Sequence, residues 1–509
     1  MPLPTPLPAP GPLLSEFTPL HTEHDYLLDD EFGAVPPGLR GTLYRNGAGR
    51  WESGGSPVGH IFDGDGMLSM FVFDQGGVRF RNRYVRTNHY LRGNHCAGPA
   101  GRNTGTMRGN GSFWANAFRW PLSNLANTNA VLHAGHLLAL YEAGKPHAID
   151  PDTLATRGVY DFDGKLRGLG SFSAHPKIDP RTGELFNFGT AIYPFPCLVV
   201  YRVDPNGRLH KLTRVPMLPP LLNHDVGLTD RYVVLVLDPL VASPTGMIPV
   251  LAGLKPLVSA IRFDPDLGTK IVLVPRDGGR AHVAHTEALL HFHLANCYDD
   301  GADTVIELCR YTDTFDTVWQ YLHTGYNRAQ TKPGFGGPLT RLRVTGTGRV
   351  LREDLTDQRT EFPQIDTRFT GRRHRYSYTV RIPEFDLGSA VSQHGNDEID
   401  FSEIDFATVS PRIQAGVTAV DHDRGTESTY PVDNFGTAGE PVFAPSSPDA
   451  PEGHGWLLTI EYDRVNHRSK LVVLDAREPA RGPVYVGGLR HHLPAGIHGS
   501  FTHRVATPG

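Results

Sequence analysis

Cysteine is scarce in this chain. Its 509 residues include 4, at Cys96, Cys197, Cys297 and Cys309, far apart and without a CxxC pair. That spacing excludes a disulfide framework and a zinc ribbon, and predicts free thiols in a reducing compartment. A surplus of either charge is missing as well: 49 Lys+Arg stand against 54 Asp+Glu, a formal net charge of −5. The basic footprint of a general nucleic-acid binder is therefore lacking. The N-terminus, Met1-Pro2-Leu3-Pro4 through Pro12, has no basic leader region and is interrupted repeatedly by proline. It reads as a disordered or draped arm over residues 1–20, not as a signal peptide. No linker composition divides the rest of the chain, so residues 21–509 are expected to form a single domain.

Long uninterrupted apolar runs are missing too. Residues 239–261 (PLVASPTGMIPVLAGLKPLVSAI) carry Lys255 as their single charge, but Pro239, Pro244, Pro249 and Pro256 break them. A spanning helix needs about 20 continuous apolar residues. Two readings are left for this stretch: an apolar loop buried in the protein, or an exposed patch that meets a bilayer surface. Ser-His-Asp and paired-carboxylate motifs are also lacking, which removes the usual machinery of hydrolases.

What is present is an all-β signature. Hydrophobic residues make up 39% and charged residues 20%, enough to bury a large core. Gly 56 and Pro 42 together reach 98 of 509 residues, about 19%, against about 12% in average usage. Short β-type runs recur: Tyr232–Asp238, Lys270–Pro275, Thr304–Tyr311, Trp456–Asp463 and Lys470–Asp475. Asp-Pro turns stand at Asp150, Asp179, Asp204 and Asp264, three of them with a nearby glycine (Gly183, Gly207, Gly268). Their intervals of 29, 25 and 60 residues form no strict repeat. They suit four-stranded propeller blades with uneven loops, and a sandwich array equally.

Histidine is abundant, 25 of 509 residues. Most are expected to be surface or satisfied core residues. His175, His224, His293 and His498 differ by lying beside short polar turns at the ends of apolar runs, where strand ends can aim side chains at a common centre. Their separations of 49, 69 and 205 residues are not local ligand spacings. They can meet only where the fold gathers distant turns, as on the axis of a propeller. Imidazole ligands suit Fe, Zn, Cu and Ni alike.

Eight short motifs run through the chain: LRGTLYRNG (39–47), FDGDGM (62–67), AHPK (174–177), HDV (224–226), FHLAN (292–296), EFPQI (361–365), GEPVF (439–443) and GIHGSF (496–501). In this order the chain resembles the carotenoid cleavage oxygenases, non-haem iron enzymes that split conjugated double bonds with O2. The resemblance implies a seven-bladed β-propeller with loops and short helices capping one face. It implies one Fe(II) per chain on His175, His224, His293 and His498, with His293 preferred over His291 because it stands three residues before Asn296. Glu142, Glu361 and Glu440 would stand behind the ligands, each holding a ring N–H. Replacing Glu142 is expected to weaken iron retention 10–100-fold. Thr128 aligns with a residue that crowds the sixth iron position. Phe62, Tyr141, Phe292 and Tyr311 resemble substrate-tunnel positions, whereas Phe62–Met67 otherwise reads as turn chemistry.

The implied reaction is dioxygenation of one C=C bond of an apocarotenoid or carotenoid to two aldehydes, retinal among them, with O2 as co-substrate. Residues 239–261 then acquire a purpose as a peripheral membrane contact of a cytoplasmic protein that collects an apolar polyene. No nucleic acid and no obligate protein partner is implied. A stilbene- or phenylpropenoid-cleaving branch is the nearest alternative, but that branch typically places lysine just before the glutamate where this chain has Tyr141. A retinoid isomerase, an inactive carotenoid-binding relative, and a Ca2+ or Zn2+ propeller hydrolase are the others. The hydrolase would want carboxylate and carbonyl ligands or an attacking water with a base, which the motifs do not supply.

Overall fold

The computed structural model describes residues 12–507 except 112, 118–121, 169, 192–194, 314, 316–317, 319–334, 384–413 and 434–435. Apolar runs became strands with nearly the expected bounds: Tyr232–Leu237, Thr269–Pro275, Asp303–Arg310, Gly455–Asp463 and Arg468–Asp475. Among the described residues, seven antiparallel sheets of four or more strands form the blades of a propeller, joined by two small two-stranded sheets. In chain order the blades comprise residues 25–84, 129–159, 177–216, 227–286, 291–354, 360–431 and 437–488.

Two strands close the ring from opposite ends of the sequence. Gly496–Thr502 pairs with Gly41–Arg50 and forms the inner edge of the first blade. Asp29–Gly33 pairs with Pro483–Gly488 and forms the outer edge of the seventh. Burial follows position within a blade. The middle strand Tyr232–Leu237 is buried on both faces, because each blade packs between two neighbours, whereas the outer strands Val350–Asp354 and Thr426–Pro431 are polar and mostly exposed.

Each seam between blades holds its own apolar cluster. The third and fourth blades share a large one that includes Phe186, Phe188, Val215, Leu235 and Val272. The seam between the fifth and sixth has a small one, Ala295, Cys309, Leu339 and Val420. All four cysteines are free. Three of the Asp-Pro turns are hairpins inside blades, not marks of blade boundaries: Asp150 serves the second blade, and Asp179 and Asp204 both serve the third, their carboxylates accepting backbone N–H groups of their own turns, whereas Asp264 leads from the inserted pair of strands back to the fourth blade.

One face is capped by excursions with short helices, Asn88–Gly93, Phe113–Asn116 and Pro244–Leu251. Residues 239–263 are inserted within the fourth blade, in part buried and in part exposed. Leu240–Ala242 pairs with Ile261–Phe263, and Leu240, Val241, Val250, Val258 and Ala260 are buried. Ile248 and Leu254 stand 67% and 61% exposed, and elsewhere Leu218 and Trp114 are 74% and 83% exposed. Arg102 pins the segment by donating to the carbonyls of Val250 and Lys255. No helix among the described residues is long and apolar enough to cross a membrane.

The described part of the N-terminal arm is draped on the first blade. Phe17 and Leu20 are buried, Phe17 edge-on to Trp51 and Leu20 donating its N–H to the Gly49 carbonyl; residues 1–11 lie outside the described residues. Phe62–Met67 has a structural role, passing from a short 3-10 turn into a strand of the first blade. Asp63 is buried and accepts the N–H groups of Thr104 and Gly105 and the Thr106 hydroxyl, which ties a cap loop to the first blade. Burial pushes its carboxyl up to about 6.

Candidate metal centre

Every inner strand brings one polar residue to the axis. Thr128 precedes Asn129–His133, His175 precedes Lys177–Ile178, and His224 precedes Gly227–Leu228. His293 lies in His291–Asp300, Glu361 in Thr360–Ile365, and His498 in Gly496–Thr502. Glu440 precedes Val442–Pro445. The four histidines converge: ring centroids are 4.3 Å apart for His175 and His224, 5.0 Å for His224 and His293, and 4.7 Å for His293 and His498. His175 lies 4.7 Å from His498 and 5.2 Å from His293.

The carboxylates behind them are set differently. Glu361 Oε2 lies 2.7 Å from His293 Nδ1, while its Oε1 accepts the Tyr311 hydroxyl at 2.7 Å. Glu440 Oε1 lies 2.8 Å from His498 Nδ1 and accepts Gln364 Nε2 at 2.6 Å. Its Oε2 accepts the Gly499 N–H at 2.8 Å and Arg45 Nη1 at 3.3 Å. Glu142 Oε1 stands 3.7 Å from His224 Nδ1 and 3.0 Å from His175 Nε2, at angles that form no hydrogen bond.

Electrostatics follow the same division. Burial and the neighbouring imidazoles hold His175 and His224 well below the ordinary histidine range. Burial works against charge on His293 too, but Glu361 outweighs it and raises that histidine. On His498 burial prevails over Glu440 and lowers it. Burial opposes ionisation of Glu440, yet His498, Arg45 and the Gly499 N–H outweigh it and keep that carboxyl low. Glu142, which faces the internal cavity, is pushed well above the carboxylate range by desolvation and the charge of Asp225.

This donor set fits a metal ion. With Nδ1 of His293 and His498 committed to carboxylates, their Nε2 atoms present lone pairs inward. His224 Nε2 and His293 Nε2 face each other at 3.2 Å, close to the roughly 3 Å between adjacent nitrogens on one metal at about 2.1 Å. His175 Nε2 and His498 Nε2 are buried without a hydrogen-bond partner, a costly arrangement unless a ligand satisfies them.

The centre opens on a cavity of about 1270 Å³. Phe62, Tyr141 and Phe292 line it, as do Thr128, Glu142, His224 and His293. Tyr311 is not among the lining residues. It lies one layer back, where a hydroxyl on Glu361 and ring contacts to Phe292 and Phe335 hold it. The Thr128 hydroxyl donates to Asn127 Oδ1, and its carbonyl accepts the His498 N–H.

Several residues that shape the centre were not singled out from sequence. Arg45 braces Glu440 through both its carbonyl and its carboxylate. Asn127 pins the Phe62 and Gly64 carbonyls. Phe362 stacks on His293 with a φ of +51°, a conformation that bulky residues adopt only when their surroundings impose it. Arg45 stands inside the LRGTLYRNG motif and Phe362 inside EFPQI, and that membership was the available signal.

A second histidine–carboxylate cluster fills the seam between the fifth and sixth blades. Glu307, His374 and His422 also bring one ligand-type atom each within 4.8 Å of the others. Asn296 Nδ2 contacts His374 Nδ1 at 3.1 Å and donates to the Arg372 carbonyl at 2.9 Å. His374 Nε2 stands 2.9 Å from Ser377 Oγ and 3.2 Å from Glu307 Oε2. Ser377 Oγ is 2.8 Å from His422 Nε2, and Arg341 donates twice to Glu307 Oε1.

A seven-bladed propeller with a four-imidazole axial centre and an aromatic cavity beside it defines a class, the propeller oxygenases that cleave carbon–carbon double bonds. The comparisons name the family. A family model described as retinal pigment epithelial membrane protein matches residues 17–503. The chain is 31% identical over 491 residues to apocarotenoid-15,15'-oxygenase of Synechocystis sp., covering 94% of each. It is 29% identical over 502 residues to isoeugenol monooxygenase of Pseudomonas nitroreducens, covering 97% of this chain and 98% of that one. The crystal structure of cobalt-substituted Synechocystis apocarotenoid oxygenase superposes with a TM-score of 0.82 at 30% identity, covering 96% and 98%. The chain belongs to this carotenoid oxygenase family and is an oxidoreductase that incorporates O2.

Proposed function

We propose that the protein is an Fe(II)-dependent dioxygenase that cleaves one conjugated C=C bond of an apocarotenoid or carotenoid into two aldehydes. The observation that carries this reading is the convergence of four imidazoles on the propeller axis, with Glu142 beside two of them, opening on a cavity that Phe62, Tyr141, Phe292 and Phe362 help to line. His175, His224, His293 and His498 would hold one iron per chain, oriented from behind by Glu142, Glu361 and Glu440. When bound, iron supplies the redox chemistry that lets O2 react with an alkene.

The remaining tasks fall to side chains. An alkene plus O2 gives two carbonyls: the C=C and O–O bonds break, two C=O bonds form, and no proton or outside electron is consumed. A catalytic acid or base is therefore not required. Phe62, Tyr141, Phe292 and Phe362 line the cavity, where they orient the polyene and stabilise positive charge developing along it. Thr128, its hydroxyl turned to Asn127, offers its methyl group beside His498 and narrows the room for O2. The apolar face carrying Ile248, Leu251 and Leu254 supports peripheral contact with a membrane that supplies the substrate, in a cytoplasmic protein with free thiols.

The test is anaerobic loading with Fe(II), then aerobic incubation with an apocarotenal and with a hydroxystilbene, products being identified by mass. Aldehydes from the apocarotenal, retinal among them, support the proposal, and their length names the bond. Aldehydes from the hydroxystilbene alone overturn the substrate class in favour of phenylpropenoids. The isoeugenol-cleaving relative favours that second reading, and Tyr141 in place of lysine weighs against it. A His293→Ala variant should be inactive in both assays.

A further inference from the structure

One polar pair in the cavity wall has no part in the metal centre. Asp238 follows the strand Tyr232–Leu237, and His291 opens the strand His291–Asp300. Both are buried, at 3% and 5% exposure, and both line the cavity. Asp238 Oδ2 takes two hydrogen bonds from this one residue, from the His291 backbone N–H at 2.7 Å and from Nδ1 at 2.7 Å. Its Oδ1 accepts the Thr269 hydroxyl at 3.3 Å. The imidazole is thus fixed in place, with a proton held on Nδ1 and Nε2 turned away from Asp238.

Among the described residues none hydrogen-bonds His291 Nε2, and the cavity it lines also includes Leu240, Ile261, Phe292 and Phe335. An oriented ring nitrogen left unpaired beside such apolar side chains gains from a hydrogen-bonding group brought to it. It stands two residues before His293, roughly 7 Å along the strand, so whatever it holds is registered against the metal centre.

We propose that His291, oriented by Asp238, is the polar anchor of this cavity. Its Nε2 hydrogen-bonds a hydroxyl of an otherwise apolar substrate and thereby selects which double bond reaches the centre. This rests on the cavity being the substrate site of the proposed oxygenase. It adds the expectation that the substrate is hydroxylated, as a phenol or as a ring alcohol of an apocarotenoid. Asp238 is a positioning residue, acting through His291.

The experiment compares two matched pairs, 4-hydroxystilbene with stilbene and a 3-hydroxy-apocarotenal with the unsubstituted apocarotenal. Binding is read by quenching of protein fluorescence in metal-free protein, and kcat/KM in iron-loaded protein. Wild type should prefer the hydroxylated member of one pair at least tenfold, and which pair identifies the source of the hydroxyl. The double variant His291→Leu/Asp238→Leu, which leaves no unpaired buried charge, should bring that ratio near one. His291→Gln, which keeps an acceptor, should restore part of it. No preference in wild-type binding, or a preference intact in the double variant, overturns the proposal. If neither pair is cleaved although the binding preference behaves as expected, the oxygenase reading fails and the anchor stands.

Discussion

Two regions of this propeller bury histidines against carboxylates, and they differ in where the imidazole protons sit. On the axis, Glu361 and Glu440 take Nδ1 of His293 and His498, so Nε2 lone pairs meet in the middle, and two buried Nε2 atoms are left without partners. In the seam between the fifth and sixth blades the order is reversed. Asn296, held by backbone carbonyls, donates to Nδ1 of His374, so the proton lies on Nε2 between Ser377 Oγ and Glu307 Oε2. The chain of donors continues through Ser377 to His422. Both clusters pass a test of distance, but in the seam both His374 nitrogens and one His422 nitrogen face Asn296 or Ser377, and the buried atom left without a hydrogen-bond partner is Glu307 Oε2. Metal sites and structural polar networks are told apart by the second nitrogen of each ring.

That contrast breaks most sharply on ligand removal. His293→Ala should reduce bound metal from near one per chain to below a tenth and abolish turnover, while His374→Ala should leave metal content unchanged. Elemental analysis of both purified variants decides it, and metal loss in the seam variant would make the two clusters alike. Next in size is Glu307→Gln, which leaves Arg341 facing a neutral group in a seam with a small apolar cluster. Stability should fall by about 3–5 kcal/mol, measured by denaturant unfolding, with metal per folded chain unaltered.

Acid should act in part through the seam. Burial lowers His422 from 6.5 to about 4, against the opposing charge of Glu307. Burial would raise Glu307, but His374, His422 and Arg341 hold it at about 2, below 4.5. Between pH 6.5 and 4 the unfolded chain binds a proton at position 422 that the folded chain refuses, so this contribution is full above pH 6.5 and shrinks as the pH falls. Below pH 4.5 the Glu307 contribution is lost in turn. The His422 share of the decline is expected to be on the order of 3 kcal/mol from about pH 7 to about pH 4. A His422→Gln curve as steep as wild type would refute this origin.

The smallest effects should come from the supporting glutamates. Glu361→Gln should weaken metal affinity roughly 10–100-fold. Glu142→Gln should sit at the low end of that range, about tenfold, because its contacts at 3.0 and 3.7 Å are not hydrogen bonds. Competition with a chelator measures both, and an equal loss would show that the two halves of the centre are supported alike.

Local chemistry made the strands legible, since residues such as Tyr232–Leu237 have no other use for six β-prone apolar side chains. It did not count blades, because Asp179 and Asp204 turn the same blade. The axial residues were legible only through the order of their motifs: no spacing relates His293 to His498, which meet through closure of the ring. Tyr311 looked like a wall residue because aromatics beside a site share one composition whether they face the cavity or stand behind it. Asp63 and Asp65 looked like turn residues because sequence does not reveal that a loop from residues 104–106 returns to cover Asp63.

The strand Gly496–Thr502 both completes the first blade and carries His498. Translation delivers this strand after every other strand of the ring. A nascent or prematurely terminated chain therefore lacks the fourth imidazole as well as the latch that brings the other three together. Closure of the ring and completion of the histidine cluster are thus a single event in folding, because one strand does both.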